Sequence, residues 1–201
     1  MDLVLGTFRE GVRKVGLLAG GFNPPTLAHL SLLRAAGVVL DAVACVVPRR
    51  YPHKDFSGAD FDQRIGMLAA LGFPVLASDR GLFIDIAREF RRDIAAGAEV
   101  ELHFLCGRDA AERIVSWDYG DELVGIERQL TEYRLLVAAR QGEYEPPSHL
   151  RHGVSNLAME AGYDEVSSTL VRELLIQGNE GWRQHVPQEI HDLVGRIYRR
   201  R

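Results

Sequence analysis

The sequence predicts a single α/β domain in which a parallel sheet is covered by helices on both faces. Short apolar runs alternate with longer amphipathic segments along the 201 residues, and this alternation is typical of such a sheet. The apolar runs are continuous, as expected of strands that are buried on both sides. Hydrophobic residues make up 46% of the chain, which is enough to bury one sizeable core.

Five apolar runs are the candidate strands. In chain order they are KVGLLAG (14–20), DAVACVVP (41–48), FPVLASD (73–79), VELHFLCG (100–107) and YRLLVAA (133–139). Helices are predicted at about 27–40, 62–71, 82–96, 109–115, 169–177 and 188–199. Within one domain of residues 1–201, we expect a short N-terminal extension (1–12), a polar surface loop (141–153) and a C-terminal helical part (about 168–199).

Composition excludes several classes of protein. The formal net charge of -4 disfavours a protein that tracks a nucleic-acid backbone. Cys45 and Cys106 lie in apolar runs, where a thiol usually behaves as a small buried hydrophobe, and this predicts a reducing compartment. Residues 1–12 do not resemble a signal peptide, and no run is long enough to span a membrane. We therefore expect a cytoplasmic protein, and nothing in the sequence specifies its oligomeric state.

The segment from Gly20 to His29, GGFNPPTLAH, follows the first predicted strand and opens the first predicted helix. Open α/β sheets bind nucleotides at this position. The paired glycines allow the backbone to approach a phosphate, and the helix start offers unpaired N–H groups. Thr26 is placed to cap the helix, with His29 on the same side of its first turn. The alternative is a glycine turn with a capping threonine and a structural histidine.

A second motif, VSSTLVR (166–172), begins another predicted helix near the end of the chain. Its spacing places Ser168, Thr169 and Arg172 on one face of the first turn. Hydroxyls, helix N–H groups and a permanently charged guanidinium suit phosphate oxygens, although such a segment alone is more often only a cap. Together, the two motifs predict that two helix N-termini converge on one polyphosphate.

With these motifs, the chain resembles the nicotinate/nicotinamide mononucleotide adenylyltransferases of the nucleotidyltransferase superfamily. The family patterns G-x-F-[DN]-P-x-[HT]-x-x-H and [IV]-S-S-T-x-[IV]-R stand here as GGFNPPTLAH and VSSTLVR. Further landmarks match in order over about residues 14–198, namely Pro48, Pro52-His53-Lys54, 62–68, Gly107 with Asp109, Trp117, 121–123, Arg140 and Val186-Pro187-x-x-Ile190. The resemblance implies a Rossmann-like nucleotidyltransferase fold. It also implies transfer of an adenylyl group from ATP to a pyridine mononucleotide in NAD biosynthesis.

The resemblance also implies roles for individual residues. The catalytic residues would be His29, Lys54 and Arg172, which would act on the phosphates. The nucleotide-binding residues would be Gly20, Gly21, Phe22, Asn23, Thr26, Gly107, Asp109, Ser168 and Thr169. Trp117 would stack on the pyridine ring. Mg²⁺ would be carried on the ATP phosphates and water, without a dedicated metal site in the protein.

Several of these residues also have structural interpretations. Asp109 is placed to cap a helix, Trp117 could cover a sheet edge, and His53 with Lys54 could be a solvated pair. Arg64 is expected to make a structural salt bridge.

Two departures from the family pattern keep alternative functions open. Many bacterial members have His-x-Gly-His where this chain has Thr26-Leu27-Ala28-His29, and a Ser-Tyr-Thr string where it has residues 81–85, GLFID. The alternatives are an adenylyl- or cytidylyltransferase for another phosphorylated acceptor, such as phosphopantetheine, and a non-catalytic nucleotide-binding protein of the same fold. The spacing from Gly107 to Trp117 and the length of the chain favour the pyridine mononucleotide, with nicotinate and nicotinamide both open.

Overall fold

The computed structural model describes residues 1–50, 58–120, 125–139, 142–159, 162–163 and 165–198. Within these ranges the chain forms a seven-stranded sheet with the order β1-β4-β3-β2-β5-β6-β7. The strands are β1 (Asp2–Leu5), β2 (Lys14–Ala19), β3 (Ala42–Pro48), β4 (Val75–Ser78), β5 (Glu101–Gly107), β6 (Arg134–Ala138) and β7 (Val154–Leu157). Strands β2 to β7 are parallel, and β1 is antiparallel to β4. The five predicted strands are therefore confirmed as the centre of the sheet.

The α-helices follow the strands in the predicted alternation. They are α1 (Leu27–Val39), α2 (Phe61–Ala69), α3 (Phe83–Phe90), α4 (Arg108–Ser116), α5 (Ile126–Gln129), α6 (Ser168–Ile176) and α7 (His191–Tyr198). Shorter 3₁₀ turns occupy Ser148–Leu150, Glu180–His185 and Gln188–Ile190. The helix predicted at 82–96 is not uniform, because α3 continues as a π-helical turn, Arg91–Ala95. Ala96 ends that turn in the left-handed region, at φ 47°.

Both faces of the sheet are buried, as the continuous apolar strands predict. In β5, Phe104 and Cys106 belong to a core on one face, together with side chains of α3 and α4. Leu105, between them, belongs to a second core on the opposite face, with side chains of α1 and α2. Cys106 is buried and forms no disulfide. Burial raises its pKa to about 12, so the thiol behaves as a small apolar group.

Two strands occur where none was predicted. The N-terminal segment expected to be an extension contributes β1, which pairs with β4 and is tied to the end of β3 by an ion pair of 2.8 Å between Asp2 and Arg49. At the opposite edge, β7 follows the predicted surface loop and pairs with β6. Both strands have only four residues, so neither has a long hydrophobic pattern in the sequence.

The strand order creates a crevice between β2 and β5. From β2 the chain proceeds outward through β3 and β4, and it then returns to the other side of β2 and continues through β5, β6 and β7. Because α1 and α4 cover opposite faces of the sheet, their N-terminal ends lie on the two sides of the crevice at the carboxyl ends of these neighbouring strands. Ligands of open α/β sheets bind at such a reversal of strand order.

The C-terminal helices build a third, smaller core against α2. It contains Met67 of α2, Val171 and Leu175 of α6, and a group of buried side chains further along the chain, Trp182, Val186, Ile190 and Val194. This packing brings the start of α6 beside the 20–26 loop, which joins β2 to α1. None of the described helices has both the length and the apolarity needed to cross a bilayer. The assignment of residues 1–201 to one domain stays a prediction.

Candidate active site

A cavity of about 300 Å³ opens at the carboxyl edge of the sheet. Part of its lining comes from the first residues of three helices that are far apart in the sequence. They are Thr26 and His29 at α1, Gly107 and Ala110 at α4, and Ser167 and Ser168 at α6. Phe83 of α3 and apolar side chains of the sheet complete the wall. The convergence of the two sequence motifs on one site is thus present in the fold, with α4 as a third contributor.

These three helix ends form an electropositive environment without a large number of cationic side chains. The first N–H groups of each helix have no intrahelical partner, and the helix dipole places partial positive charge there. The first turns of α1 and α6 contain no acidic side chain, whereas Asp109 in the first turn of α4 offsets part of this charge. The cavity therefore suits an anionic ligand, and phosphate is a common anion at helix N-termini.

His29 is held in one tautomer by the loop before α1. The backbone N–H of Thr26 donates to His29 Nδ1 at 3.0 Å, and the Thr26 hydroxyl lies 2.7 Å from the same nitrogen. Because a backbone N–H can only donate, Nδ1 accepts and the neutral ring carries its hydrogen on Nε2. Thr26 caps α1 as predicted, but its side chain is 0% exposed. It therefore orients His29, and its contact with the nucleotide stays a prediction.

Phe22 supports the other side of the imidazole. Its ring centroid lies 5.2 Å from that of His29, and its side chain is 1% exposed. The residue has φ 48°, a left-handed conformation that costs a non-glycine residue about 1–2 kcal/mol. Burial of the ring offsets that cost. The resemblance implies that Phe22 lies along the nucleotide, whereas the structure places its side chain in the core behind His29.

The two glycines of the first motif contribute through their backbone. The N–H of Gly20 donates to Val46 O at 3.1 Å, which joins the loop to the end of β3. The carbonyl of Gly21 accepts a hydrogen bond of 3.3 Å from Arg64 Nη1. Arg64 also donates to the carbonyl of Asp60, and its guanidinium lies over the Phe61 ring, 5.6 Å from the centroid. The expected salt bridge of Arg64 stays a prediction.

The start of α6 is joined to the same loop by side-chain hydrogen bonds. Ser168 Oγ donates to Pro24 O at 2.7 Å, and Arg172 Nη1 donates to Asn23 O at 2.6 Å. Arg172 Nη2 lies 3.2 Å from Thr169 Oγ1, which confirms that these two side chains share a face. The second motif thus fixes the position of the first. The guanidinium has five N–H groups, and these two bonds leave others for a ligand.

Asn23 lies at the centre of these loop contacts. Its side chain is 7% exposed, and Oδ1 accepts the N–H of Ala59 at 3.0 Å and the hydroxyl of Tyr198. The neighbouring Gly58 approaches so closely that a Cβ there would lie 2.5 Å from Asn23 Oδ1. The Asn23 side chain therefore joins the loop to the segment before α2 and to α7, which differs from the nucleotide contact implied by the resemblance.

Other predicted site residues lie around α4. Gly107 is the N-cap of α4 and lines the cavity. Asp109 is the second residue of the helix, so it is not the cap, and its side chain is exposed. Trp117 follows the last residue of α4 and is 59% exposed. Neither Asp109 nor Trp117 is among the described residues that line the cavity.

Some residues of the family pattern lie outside the described ranges. These are Pro52, His53 and Lys54, residues 121–123, and Arg140. Sequence reasoning missed Phe83, which lines the cavity, and Tyr198, whose hydroxyl donates to Asn23 of the neighbouring loop. Tyr198 is the harder of the two to find. Its position near the end of the chain carries no motif, and only the apolar spacing of the last helix could have indicated that it packs inward.

Comparison with known proteins agrees with this geometry. The cytidylyltransferase-like family profile matches residues 17–174, and the chain belongs to this family. A protein of Thermus thermophilus named probable nicotinate-nucleotide adenylyltransferase is 30% identical over 188 residues, which are 88% of this chain and 94% of the relative. The protein of the same name from Gloeobacter violaceus is 26% identical over 198 residues, covering 88% of this chain and 91% of the relative.

Solved structures confirm the predicted fold. A structure described as Plasmodium falciparum nicotinic acid mononucleotide adenylyltransferase complexed with NaAD has a TM-score of 0.70 and 17% sequence identity. The similarity covers 90% of this chain and 94% of the other. A putative nicotinate-nucleotide adenylyltransferase from Vibrio parahaemolyticus has a TM-score of 0.60 and 15% identity, with coverage of 94% and 97%. The Rossmann-like α/β nucleotidyltransferase fold is therefore established.

Proposed function

We propose that the protein is an adenylyltransferase that joins ATP and nicotinate mononucleotide to give the dinucleotide and pyrophosphate, a reaction of NAD biosynthesis. The observation that carries this proposal is the convergence of the α1, α4 and α6 N-termini on one cavity, with His29 in its wall. Three such ends suit a polyphosphate better than a single phosphate group. The names of the curated relatives support nicotinate as the acceptor, ahead of nicotinamide.

The reaction requires alignment and charge stabilisation, and no protein nucleophile. An oxygen of the acceptor 5′-phosphate attacks the α-phosphorus of ATP and forms a new P–O bond. The bond from that phosphorus to the oxygen bridging to the β-phosphate breaks, and pyrophosphate leaves with the electron pair. Holding the reactants in line can lower the barrier by about 7–11 kcal/mol in favourable cases. Fixed N–H donors stabilise charge as it develops on the phosphates.

In this proposal, His29 of the first motif and Arg172 of the second motif both act on the phosphates. His29 donates from Nε2, since its Nδ1 accepts from Thr26. Arg172 contributes a permanent positive charge and the N–H groups that Asn23 and Thr169 leave available. The N-terminal amides at Ser168 and Thr169 add hydrogen bonds. Lys54, which lies outside the described residues, is proposed to add positive charge near the transferred group.

Residues along α4 are proposed to contact the rest of a long ligand. Gly107 lines the cavity, whereas Trp117 follows the other end of the helix, about 15 Å away at 1.5 Å per residue. The two residues would therefore contact different parts of a dinucleotide, with Gly107 and Asp109 at a sugar and Trp117 on the pyridine ring. The indole of Trp117 is largely exposed to solvent, and an aromatic ring in such a position can stack on a flat ligand ring.

ATP would bring Mg²⁺ on its phosphate oxygens, where the ion neutralises charge and keeps several water ligands. The described wall of the cavity fits the phosphates of such a complex, because it presents hydroxyls and N–H donors. Among the described residues, no group of three or more His, Cys, Asp or Glu side chains has an arrangement that could hold a metal ion. The cytoplasmic location stays a prediction from the sequence.

The proposal is tested by measuring pyrophosphate release with ATP and Mg²⁺ in the presence of one acceptor at a time. The acceptors are nicotinate mononucleotide, nicotinamide mononucleotide and phosphopantetheine, and a reaction without acceptor is the control. We expect the highest kcat/KM with nicotinate mononucleotide. A preference for phosphopantetheine would contradict the proposed acceptor, and ATP binding without pyrophosphate release would indicate a non-catalytic nucleotide-binding protein.

Replacing Thr26 with valine tests whether the Thr26 hydroxyl orients His29. The variant keeps a β-branched side chain at this buried position and removes the hydroxyl that lies 2.7 Å from Nδ1. One neutral hydrogen bond is worth about 0.5–1.5 kcal/mol, so kcat should fall roughly two- to twelvefold. The variant Thr26→Ser keeps the hydroxyl and should retain most of the activity. Equal losses in both variants would show that the hydroxyl does not orient His29.

A further inference from the structure

Two C-terminal helices, α6 and α7, both donate hydrogen bonds to Asn23 of the 20–26 loop. Its backbone oxygen accepts from Arg172 of α6, and its side-chain oxygen accepts from the hydroxyl of Tyr198 of α7. The N–H of Ala59 donates to the same side-chain oxygen. Asn23 is thus one buried residue with two contacts. Its backbone oxygen binds Arg172, a proposed catalytic residue, and its side-chain oxygen binds α7.

Helix α7 is held firmly enough to act as a support for this contact. Ile190, directly before α7, and Val194 of α7 are 0% exposed in the core that they share with α2 and α6. Tyr198 is partly buried against the same core, one turn beyond Val194. Spacing of four residues places Val194 and Tyr198 on the same face of the helix. The packing of α7 therefore presents the Tyr198 hydroxyl to the loop.

We propose that Tyr198 is a positioning residue of the active site, which acts through Asn23 on Arg172 and on the 20–26 loop. The Tyr198 hydroxyl fixes the side chain of Asn23, and this restricts the rotation of the Asn23 backbone whose carbonyl binds Arg172 at 2.6 Å. The same loop ends at Thr26, which orients His29. This inference rests on the proposed function, because it assigns Arg172 and His29 to the phosphates of ATP.

Other described supports of the loop hold its backbone. Arg64 donates to Gly21 O and Ser168 donates to Pro24 O. Together they hold the backbone on the two sides of Asn23. Between these two positions, the side-chain amide of Asn23 is held by the Tyr198 hydroxyl of α7. Loss of the Tyr198 hydroxyl should therefore loosen the loop locally while the apolar packing of α7 remains.

A double-mutant cycle between Tyr198→Phe and Asn23→Ala tests the proposal. Each variant is measured for kcat, for KM of ATP and of nicotinate mononucleotide, for the calorimetric affinity for ATP with Mg²⁺, and for the thermal midpoint. Tyr163→Phe is the matched control, because this tyrosine lines a separate groove between α1 and the strands β6 and β7. Asn23→Asp provides a second background that keeps acceptor oxygens in case Asn23→Ala does not fold.

We expect Tyr198→Phe to lower kcat/KM for ATP roughly three- to tenfold, which is the effect of one net hydrogen bond. The KM for the mononucleotide and the behaviour of Tyr163→Phe should be unchanged. In the Asn23→Ala background, Tyr198→Phe should have no further effect, whereas in the Asn23→Asp background its effect should persist.

Additive effects in the cycle, or a lower thermal midpoint with unchanged kcat/KM, would assign Tyr198 a purely structural role and overturn the proposal. If the unmodified chain binds ATP but releases no pyrophosphate with any acceptor, the proposed function fails. The ATP affinities in the same cycle then still decide the role of Tyr198. Absence of ATP binding by the unmodified chain would overturn both proposals.

Discussion

Replacing His29 with alanine is expected to lower kcat roughly 100- to 1000-fold while the fold remains intact. The imidazole is proposed to donate from Nε2 to a phosphate oxygen on which charge develops, and loss of one fixed donor of this kind costs about that factor in other enzymes. The ring lines the cavity and has a fixed tautomer, so its donor is already oriented before ATP binds. Steady-state pyrophosphate release at saturating ATP measures the effect.

The matched control for His29 is His152→Ala. His152 is exposed, and its Nδ1 lies 3.0 Å from the carbonyl of His149, in the turn before β7. We expect this variant to keep the activity of the unmodified chain. Full turnover in His29→Ala, with a circular dichroism spectrum like that of the unmodified protein, would remove His29 from the proposed mechanism.

Replacing Arg172 with alanine is expected to lower kcat/KM for ATP roughly 10- to 100-fold. A hydrogen bond from a charged group is worth about 1.5–3 kcal/mol, which corresponds to this range. Arg172 also holds the 20–26 loop through Asn23 O, so both the charge and the position of the loop are affected. The measurement is the dependence of pyrophosphate release on ATP concentration, well below the thermal midpoint of the variant.

Arg172→Lys separates charge from geometry. Lysine restores the positive charge, but a single ammonium group lacks the planar arrangement that contacts Asn23 O and Thr169 Oγ1 at once. We therefore expect Arg172→Lys to recover only a minor part of the lost activity. Arg34→Ala, on an exposed position of α1, is the control for a lost guanidinium. Full recovery by lysine would show that charge alone is required.

The sequence predicted the parts of the fold that have long hydrophobic patterns. Strands β2 to β6 are continuous apolar runs, because the sheet buries both of their faces. The edge strands were not predicted. In β7, for example, only the end residues Val154 and Leu157 are buried, and the two polar residues between them are exposed. The π-helical turn after α3 was also missed, because it keeps the composition of an ordinary helix.

For the candidate site, the local sequence predicted where the helices begin better than it predicted what individual side chains contact. Thr26 caps α1, and Gly107, His29 and Ser168 line one cavity. Phe22 and Asn23, however, have buried side chains that support the loop. A motif indicates that a residue type is required at a position, and it does not distinguish contact with a ligand from contact with the protein.

By itself, the sequence determined the five central strands, where α1 and α6 begin, and which family the chain belongs to. These properties depend on hydrophobic periodicity, capping residues and ordered motifs, all of which are local or linear. Only the tertiary structure decided that Arg172 and Tyr198 meet at Asn23, across separations of 149 and 175 residues. Hydrogen bonds between such distant residues leave no periodic signal, because their partners become neighbours only after the helices pack.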